Sequence, residues 1–447
     1  MINYRFFLTT VLTSTISITS TLAFGETLLE VYELAQKNDR EYQANIAKFN
    51  ADKEERNIAR GNLLPEVTGR ANYSDTNEDI SGTTESDNDT AALSYSIELR
   101  QPLINFRALN TYKGGKIRTA SAEIQLAADK QSLIIRSAKA YFDVLSAIDQ
   151  LRTSQAEEKA LATQLEQTRQ RYEVGLISIN DVYETQAEYD NSVANRIGAE
   201  VNVGITLEAL TILTGKQHNS IAPLKDNFIA SYPSPNDKQA WITAAQTGNL
   251  SLQVSKLAAD AAVYDAKAAR SDRLPQLNGV LSYGNTDADR SGTNSSDTDT
   301  ETTSIALELS IPIYTGGELS ARQRRATQNQ IRSREEFLFS QRNIIQNTRS
   351  LFLEVSTNIA QIKARKQAII SSESALEATK AGYEAGTRDI VDVVNAQRRL
   401  FEVQRDYFTT LYDYILNTLE LKQASGALAV KDLEELENWL QENKKIT

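Results

Sequence analysis

RYEVGLISINDV at residues 171–182 and GYEAGTRDIVDV at residues 382–393 are two versions of one pattern. At an offset of 211, Tyr172 stands over Tyr383, Glu173 over Glu384, Gly175 over Gly386, Ile179 over Ile390, Asp181 over Asp392 and Val182 over Val393. Glycine supplies the positive φ that ends a helix. Ser178-x-x-Asp181 and Asp389-x-x-Asp392 read as capping boxes that start the next one, with an acidic group in the first turn. Each stretch is therefore the turn of a helical hairpin, and the chain builds that hairpin twice.

The duplication extends well beyond the turns. ARGNLLPEVTGRANYSDT (59–76) aligns with ARSDRLPQLNGVLSYGNT (269–286), and SIELRQPL from Ser96 aligns with ALELSIPI from Ala306, both at an offset of 210. Repeats this long are two copies of one structural unit. The expected organisation is a first repeat over 26–215, a linker at 216–237, a second repeat over 238–426 and a C-terminal tail over 427–447.

Within each unit the hydrophobic period switches. Val67, Gly69, Ala71 and Tyr73 alternate with polar residues, as do Leu93, Tyr95, Ile97 and Leu99; Leu277, Gly279, Leu281 and Tyr283; and Ile305, Leu307, Leu309 and Ile311. Period two is a strand signal. The strands are expected at 65–76, 90–102, 275–286 and 302–313, joined by acidic loops at 77–89 and 287–299 that have little to bury. One apolar and one polar face over about ten residues fits a bilayer-crossing strand, yet four strands cannot close a barrel that needs about eight. The alternation thus implies an oligomer. A soluble β-sandwich edge with one wet face gives the same alternation and stays open at this point.

The remainder reads as helix. Residues 106–173 lack proline, and Leu161, Leu165, Thr168 and Tyr172 follow a coiled-coil seam. Ile179, Val182, Gln186, Tyr189 and Val193 continue it, as do Ile390, Val393, Gln397, Leu400, Gln404, Tyr407 and Leu411. Glutamines in a seam suit a wall with water on one side. At about 1.5 Å per residue, 106–173 spans roughly 100 Å. Helices expected at 27–62 and 179–213, placed end to end, match that length, and 318–425 repeats the hairpin.

Arg5, the apolar run Phe6–Phe24 and the small-residue pattern before Glu26 read as an export signal over 1–25. No later stretch reads as a spanning helix, so membrane-crossing parts would have to be strands. The chain has no cysteine, one histidine and a formal charge of −11, which disfavours disulfides, thiolate or multi-histidine metal sites, a Ser-His-Asp triad and a nucleic-acid partner. His218, in a polar stretch, reads as solvated surface. Neither enzyme activity nor a cofactor is expected.

YFDVLSAID (141–149), RLPQLNGVLSYG (273–284), IPIYTGGELSA (311–321) and the two turn motifs, in this order, resemble the TolC family of trimeric outer-membrane efflux and secretion ducts. The resemblance implies a mixed α and β membrane protein: a homotrimer whose twelve-stranded barrel lies in outer-membrane lipid and continues into a periplasmic α-helical tunnel. It implies docking of the tips, here Gly175, Leu176, Gly386 and Thr387, onto a periplasmic adaptor joined to an inner-membrane transporter of the RND, ABC or MFS type. Carried over position by position, the family's gate falls on Asp181, Tyr383 and Arg388, with a further contact between Gln164 and Lys380. An acidic ring falls on Asp392, where its second position is Asn395. Pro65, Pro102, Pro275 and Pro312 read as bends between barrel and tunnel, or as edge-of-strand punctuation. The function implied is a passive exit duct gated at its tips. The rivals are a periplasmic coiled-coil spacer, which would need only one hairpin, and an exported enzyme.

Overall fold

The computed structural model describes residues 26–80, 86–218, 220–292 and 295–441. The expected export signal lies outside them. The first repeat runs α1 (Leu28–Asn38), α2 (Arg40–Asp52), α3 (Glu55–Gly61), β1 (Glu66–Ile80), β2 (Ser86–Ile104), α4 (Phe106–Glu173) and α5 (Ile179–Thr214). The second runs α6 (Lys238–Gly248), α7 (Leu250–Ser271), β3 (Gln276–Gly292), β4 (Ser296–Ser310), α8 (Glu318–Glu384) and α9 (Ile390–Ala424), followed by α10 (Val430–Glu437).

The helix expected over 27–62 is broken into three. At Asp39 the backbone is extended (φ −62°, ψ 115°), and the carboxylate caps α2 by accepting from Tyr42 N at 3.0 Å. Arg136 on α4 donates to the same oxygen at 2.6 Å. The second repeat breaks at the aligned position: Asn249 (φ −62°, ψ 120°) caps α7 by accepting from Leu252 N at 2.9 Å. Asp and Asn compete for local backbone donors, so each tolerates a helix but caps one better.

The sheet is an antiparallel meander in the order β1-β2-β3-β4. Its register aligns the alternating residues across all four strands. Val67, Leu99, Leu281 and Ile305 form one row, while Thr68, Glu98, Ser282 and Ser304 form the next, on the opposite face. The apolar face is bare, with Val67, Ile97, Ile305 and Leu307 each more than half exposed. On the polar face, Arg100 pairs with Glu308 at 2.6 Å and with Glu98 at 3.4 Å. β1 and β4 are sheet edges.

The strands are also longer than expected, at 15, 19, 17 and 15 residues. Much of the sequence expected as acidic loop is laddered strand, where Asp287 opposes Asp299 and Asp289 opposes Asp297. Backbone pairing continues after the apolar alternation has stopped. Only 81–85 and 293–294 of those connections lie outside the described residues. Pro65 and Pro275 immediately precede β1 and β3, and Pro312 follows β4. Pro102 lies inside β2, where the register shifts between Pro102 and Ile104, as a residue without an N–H requires in a paired strand.

One helix departs from the sequence reading: α5 is long and apolar enough, by length and composition alone, to cross a membrane. Its apolar residues are unevenly placed. Ile197, Val201, Ile205 and Ile212 form an exposed stripe.

The main core lies at the waist of the helical body, where α1, α4, α5 and α9 meet α10 and the linker. Leu28, Tyr141, Phe142, Leu145, Leu210, Ile221 and Leu433 are almost wholly enclosed there. Burying each large apolar side chain contributes about 1.5–3 kcal/mol. Three distant segments close this core: Glu26 bridges Ile221 and Leu224 bridges Leu440. The Tyr141 hydroxyl donates to Ala222 O at 2.6 Å.

His218 is not surface but buried, clasped between Glu26 at Nδ1 and the Thr214 hydroxyl at Nε2. Burial alone would raise the Glu26 carboxyl. Hydrogen bonds and charge from Lys216 and His218 outweigh it and hold the group below its ordinary 4.5. A depressed carboxyl contributes stability above its unfolded value and loses it as pH falls through the folded one. Glu26→Gln is therefore expected to lower the thermal unfolding temperature at pH 7 by a few degrees, followed by circular dichroism, with the gap from wild type closing as pH drops below 4.5.

Candidate functional site

The two hairpin tips end their long helices identically. At α4, Gly175 (φ 73°) donates from N to Tyr172 O at 2.8 Å, and Leu176 N donates to Arg171 O at 2.9 Å. At α8, Gly386 (φ 75°) donates to Tyr383 O at 3.0 Å, and Thr387 N donates to Gly382 O at 2.8 Å. Both are Schellman motifs, whose left-handed residue favours glycine because it has no Cβ to strain. Leu176 and Thr387 stand exposed at the extreme ends.

The helices that restart are capped differently. Asp181 accepts from Ser178 N at 3.3 Å, and Ser178 Oγ accepts from Asn180 N at 3.1 Å, completing a capping box. Asp389 makes no side-chain cap, contrary to the sequence reading. In its place Arg388 reaches Asp392 at 3.5 Å, an exposed i,i+4 pair. Such pairs contribute only about 0.3–0.5 kcal/mol.

Beneath the tips the hairpins pack through Leu161, Leu376, Ile390, Val393, Val394 and Leu400. Thr168 and Thr185 are fully buried and return their hydroxyls to Gln164 O and Asp181 O, each at 2.8 Å. Gln397 is enclosed too, with its Oε1 unpaired, so this glutamine does not face water as its seam position suggested. Arg405 donates across the hairpins to buried Glu157 at 2.7 Å.

Asp181, Tyr383 and Arg388 gather at one end of the molecule, but among the described residues no hydrogen bond joins any two of them. Gln164 is buried and Lys380 exposed, and among the described residues no hydrogen bond joins them. Asn395 accepts from Arg398 at 3.0 Å. One contact was missed from sequence: the Arg171 guanidinium lies over the Tyr383 ring, 4.8 Å from its centroid. The signal lay in the repeat alignment, where Arg171 stands over Gly382 and Ile177 over Arg388. Each of these two slots holds an arginine in one tip and an uncharged residue in the other.

The description "outer membrane efflux protein" fits the chain twice, at residues 31–216 and 241–427. The outer membrane protein TolC of Vibrio cholerae is 35% identical over 95% of this chain and 96% of its own length. The alkaline protease secretion protein AprF of Pseudomonas aeruginosa is 29% identical over 92% of this chain and 87% of its own. Among solved structures, the Campylobacter jejuni CmeC outer membrane channel superposes with a TM-score of 0.76 at 17% identity, covering 93% of this chain and 90% of that one. That last likeness speaks for the fold alone.

Apart from the glycine and its neighbours in the chain, no atom of the described residues lies within 4 Å of where a Cβ would stand on Gly175 or Gly386. The cost of a substitution is then purely conformational, about 1 kcal/mol for alanine. Gly175→Ala and Gly386→Ala are expected to speed amide hydrogen exchange at 172–178 and 383–389 about fivefold while leaving the waist unchanged, with asparagine costing less at either position.

Proposed function

Because the chain belongs to the outer membrane efflux protein family, we propose that three copies form one duct, gated at the six hairpin tips. The protein is an outer-membrane exit channel of a Gram-negative cell, in a family of channels rather than enzymes that serves both efflux and protease secretion. The observation that supports the trimer is the bare sheet. Its outward rows are apolar, its other face carries the Arg100 and Glu308 charges, and both edges are open. In lipid every backbone N–H and C=O must be paired, so β1 of one copy closes on β4 of the next, giving twelve strands. The exposed stripe Ile197, Val201, Ile205 and Ile212 on α5 is then covered by a neighbouring copy rather than by lipid.

The tips form the periplasmic gate in this reading. Arg388 and Asp392 are exposed and weakly paired, so Arg388 is free to exchange to Asp181 of a neighbour in the closed assembly. A contact of this strength holds a passive pore shut and yields to a docked partner. That partner is a periplasmic adaptor received at Gly175, Leu176, Gly386 and Thr387, joined to an inner-membrane transporter that supplies the energy. Asp392 makes the acidic ring, and Asn395 leaves it with a single carboxylate layer.

The purified protein is expected to run as a heat-labile species three times the mass of the chain and to form pores of small conductance in planar bilayers. Arg388→Ser raises that conductance severalfold. Asp392→Asn weakens its cation preference, as loss of a carboxylate ring should. A monomer that forms no pore would overturn the reading.

A further inference from the structure

The two β-hairpins are copies of each other in register. Pairs of the first run from Glu66 opposite Arg100 to Ile80 opposite Ser86, and pairs of the second run from Gln276 opposite Ser310 to Arg290 opposite Ser296. An offset of 210 carries every pair of one onto a pair of the other. The hairpins meet along β2 and β3, where Ile97 lies opposite Tyr283, Leu99 opposite Leu281 and Gln101 opposite Gly279.

At the foot of that seam β2 shifts register between Pro102 and Ile104, and a Cβ on Gly279 would stand 3.6 Å from Leu103 Cδ1. Gly279 is thus the floor under the Leu103 side chain. Its counterpart in the first repeat, Gly69 on β1, has no atom of the described residues within 4 Å of that position, apart from its own neighbours in the chain. The counterpart of Leu103 is Ile313, just past β4, and Ile313 is 94% exposed. A knob and a floor therefore stand at the two open edges of the sheet, each without the other.

We propose that the seam between copies repeats the seam within one, with Ile313 of one copy seated over Gly69 of the next. This rests on the reading that β4 closes on β1 of a neighbour. Moving each β2 residue up by 210 and each β3 residue down by 210 places Leu307 opposite Tyr73, Leu309 opposite Ala71 and Ile311 opposite Gly69. Ile104 pairs with Leu277, so Tyr314, exposed in one copy, meets the exposed Val67 of the next. A slip by one residue would turn Leu307 toward Asn72 or Ser74 and break the apolar face. A slip by two keeps the face but sets Ile313 against the Cβ of Val67 or Ala71. The glycine thus chooses between registers that the alternation alone leaves equal.

Cysteine pairing tests this, because the chain has no cysteine of its own. Residues directly opposite in a sheet have Cβ atoms about 4.5–5.5 Å apart, close to disulfide reach, whereas diagonal neighbours at about 7–8 Å are beyond it. Within one protomer β1 and β4 are separated by β2 and β3, roughly 14 Å in all, so a bond between them joins two copies. In the assembled protein, Leu307→Cys with Tyr73→Cys is expected to oxidise to a covalent trimer that survives boiling without reductant. Its yield should exceed that of Leu307→Cys with Ala71→Cys, or with Asp75→Cys, about fivefold. Gly69→Leu fills the seat and should lower the temperature at which the trimer dissociates by about 5 °C or more, and adding Ile313→Ala should recover most of the loss. Should Gly69→Leu fail to assemble, the cysteine pairs decide alone. Preferential bonding to Ala71→Cys or Asp75→Cys overturns the repeated seam and leaves the trimer standing. A wild-type trimer in which none of the three pairs bonds also overturns it. If the wild type is a monomer, the trimer reading falls and the seam with it.

Discussion

Four strands with two open edges are the constraint from which the rest follows. A sheet whose outward rows are Val67–Leu99–Leu281–Ile305 cannot sit in water without exposing them, and cannot sit in lipid with β1 and β4 unpaired. The proposed closure by further copies satisfies both demands. The proposed trimer in turn sets the task of the helices. Each copy supplies two hairpins and two broken partners, and the breaks at Asp39 and Asn249 let the shorter chains follow α4 and α8 as stacked segments.

The architecture was largely legible in the sequence, and the exceptions have physical reasons. Proline-free seams marked the long helices, and Gly175 and Gly386 marked their ends because positive φ is costly for any other residue. The breaks at Asp39 and Asn249 were not visible, since neither residue disrupts a helical pattern until it is asked to cap. Strand length was underestimated for a different reason. Alternation reports which side chains are buried, whereas the ladder at Asp287 and Asp299 is held by backbone alone. His218 was misplaced because its burial depends on Glu26, far away in the chain and brought close only by the fold.

The tip shows the limit more sharply. Local chemistry was readable: the Schellman glycines, the Ser178 and Asp181 capping box, the bare Arg388. The partners were not, because α4 and α8 meet only after both hairpins have formed. Motif alignment offered Asp181, Tyr383 and Arg388 as a set, while the folded chain gives Asp181 to a cap, Arg388 to Asp392 and the Tyr383 ring to Arg171. Duplication followed by unequal substitution at Arg171 and Gly382 has made two copies of one turn chemically unlike.

The waist imposes an order of events on a growing chain. Glu26 is held by the linker at Ile221, and the linker is held at Leu224 by Leu440, so the beginning, middle and end of the polypeptide are sewn into one seam. Contacts this far apart in sequence form slowly, since long loops must close first. Leu28 and Tyr141 therefore lack their lid until Leu440 has reached the linker. A core stitched in this way closes late, so each hairpin can fold locally before the waist that joins them is sealed.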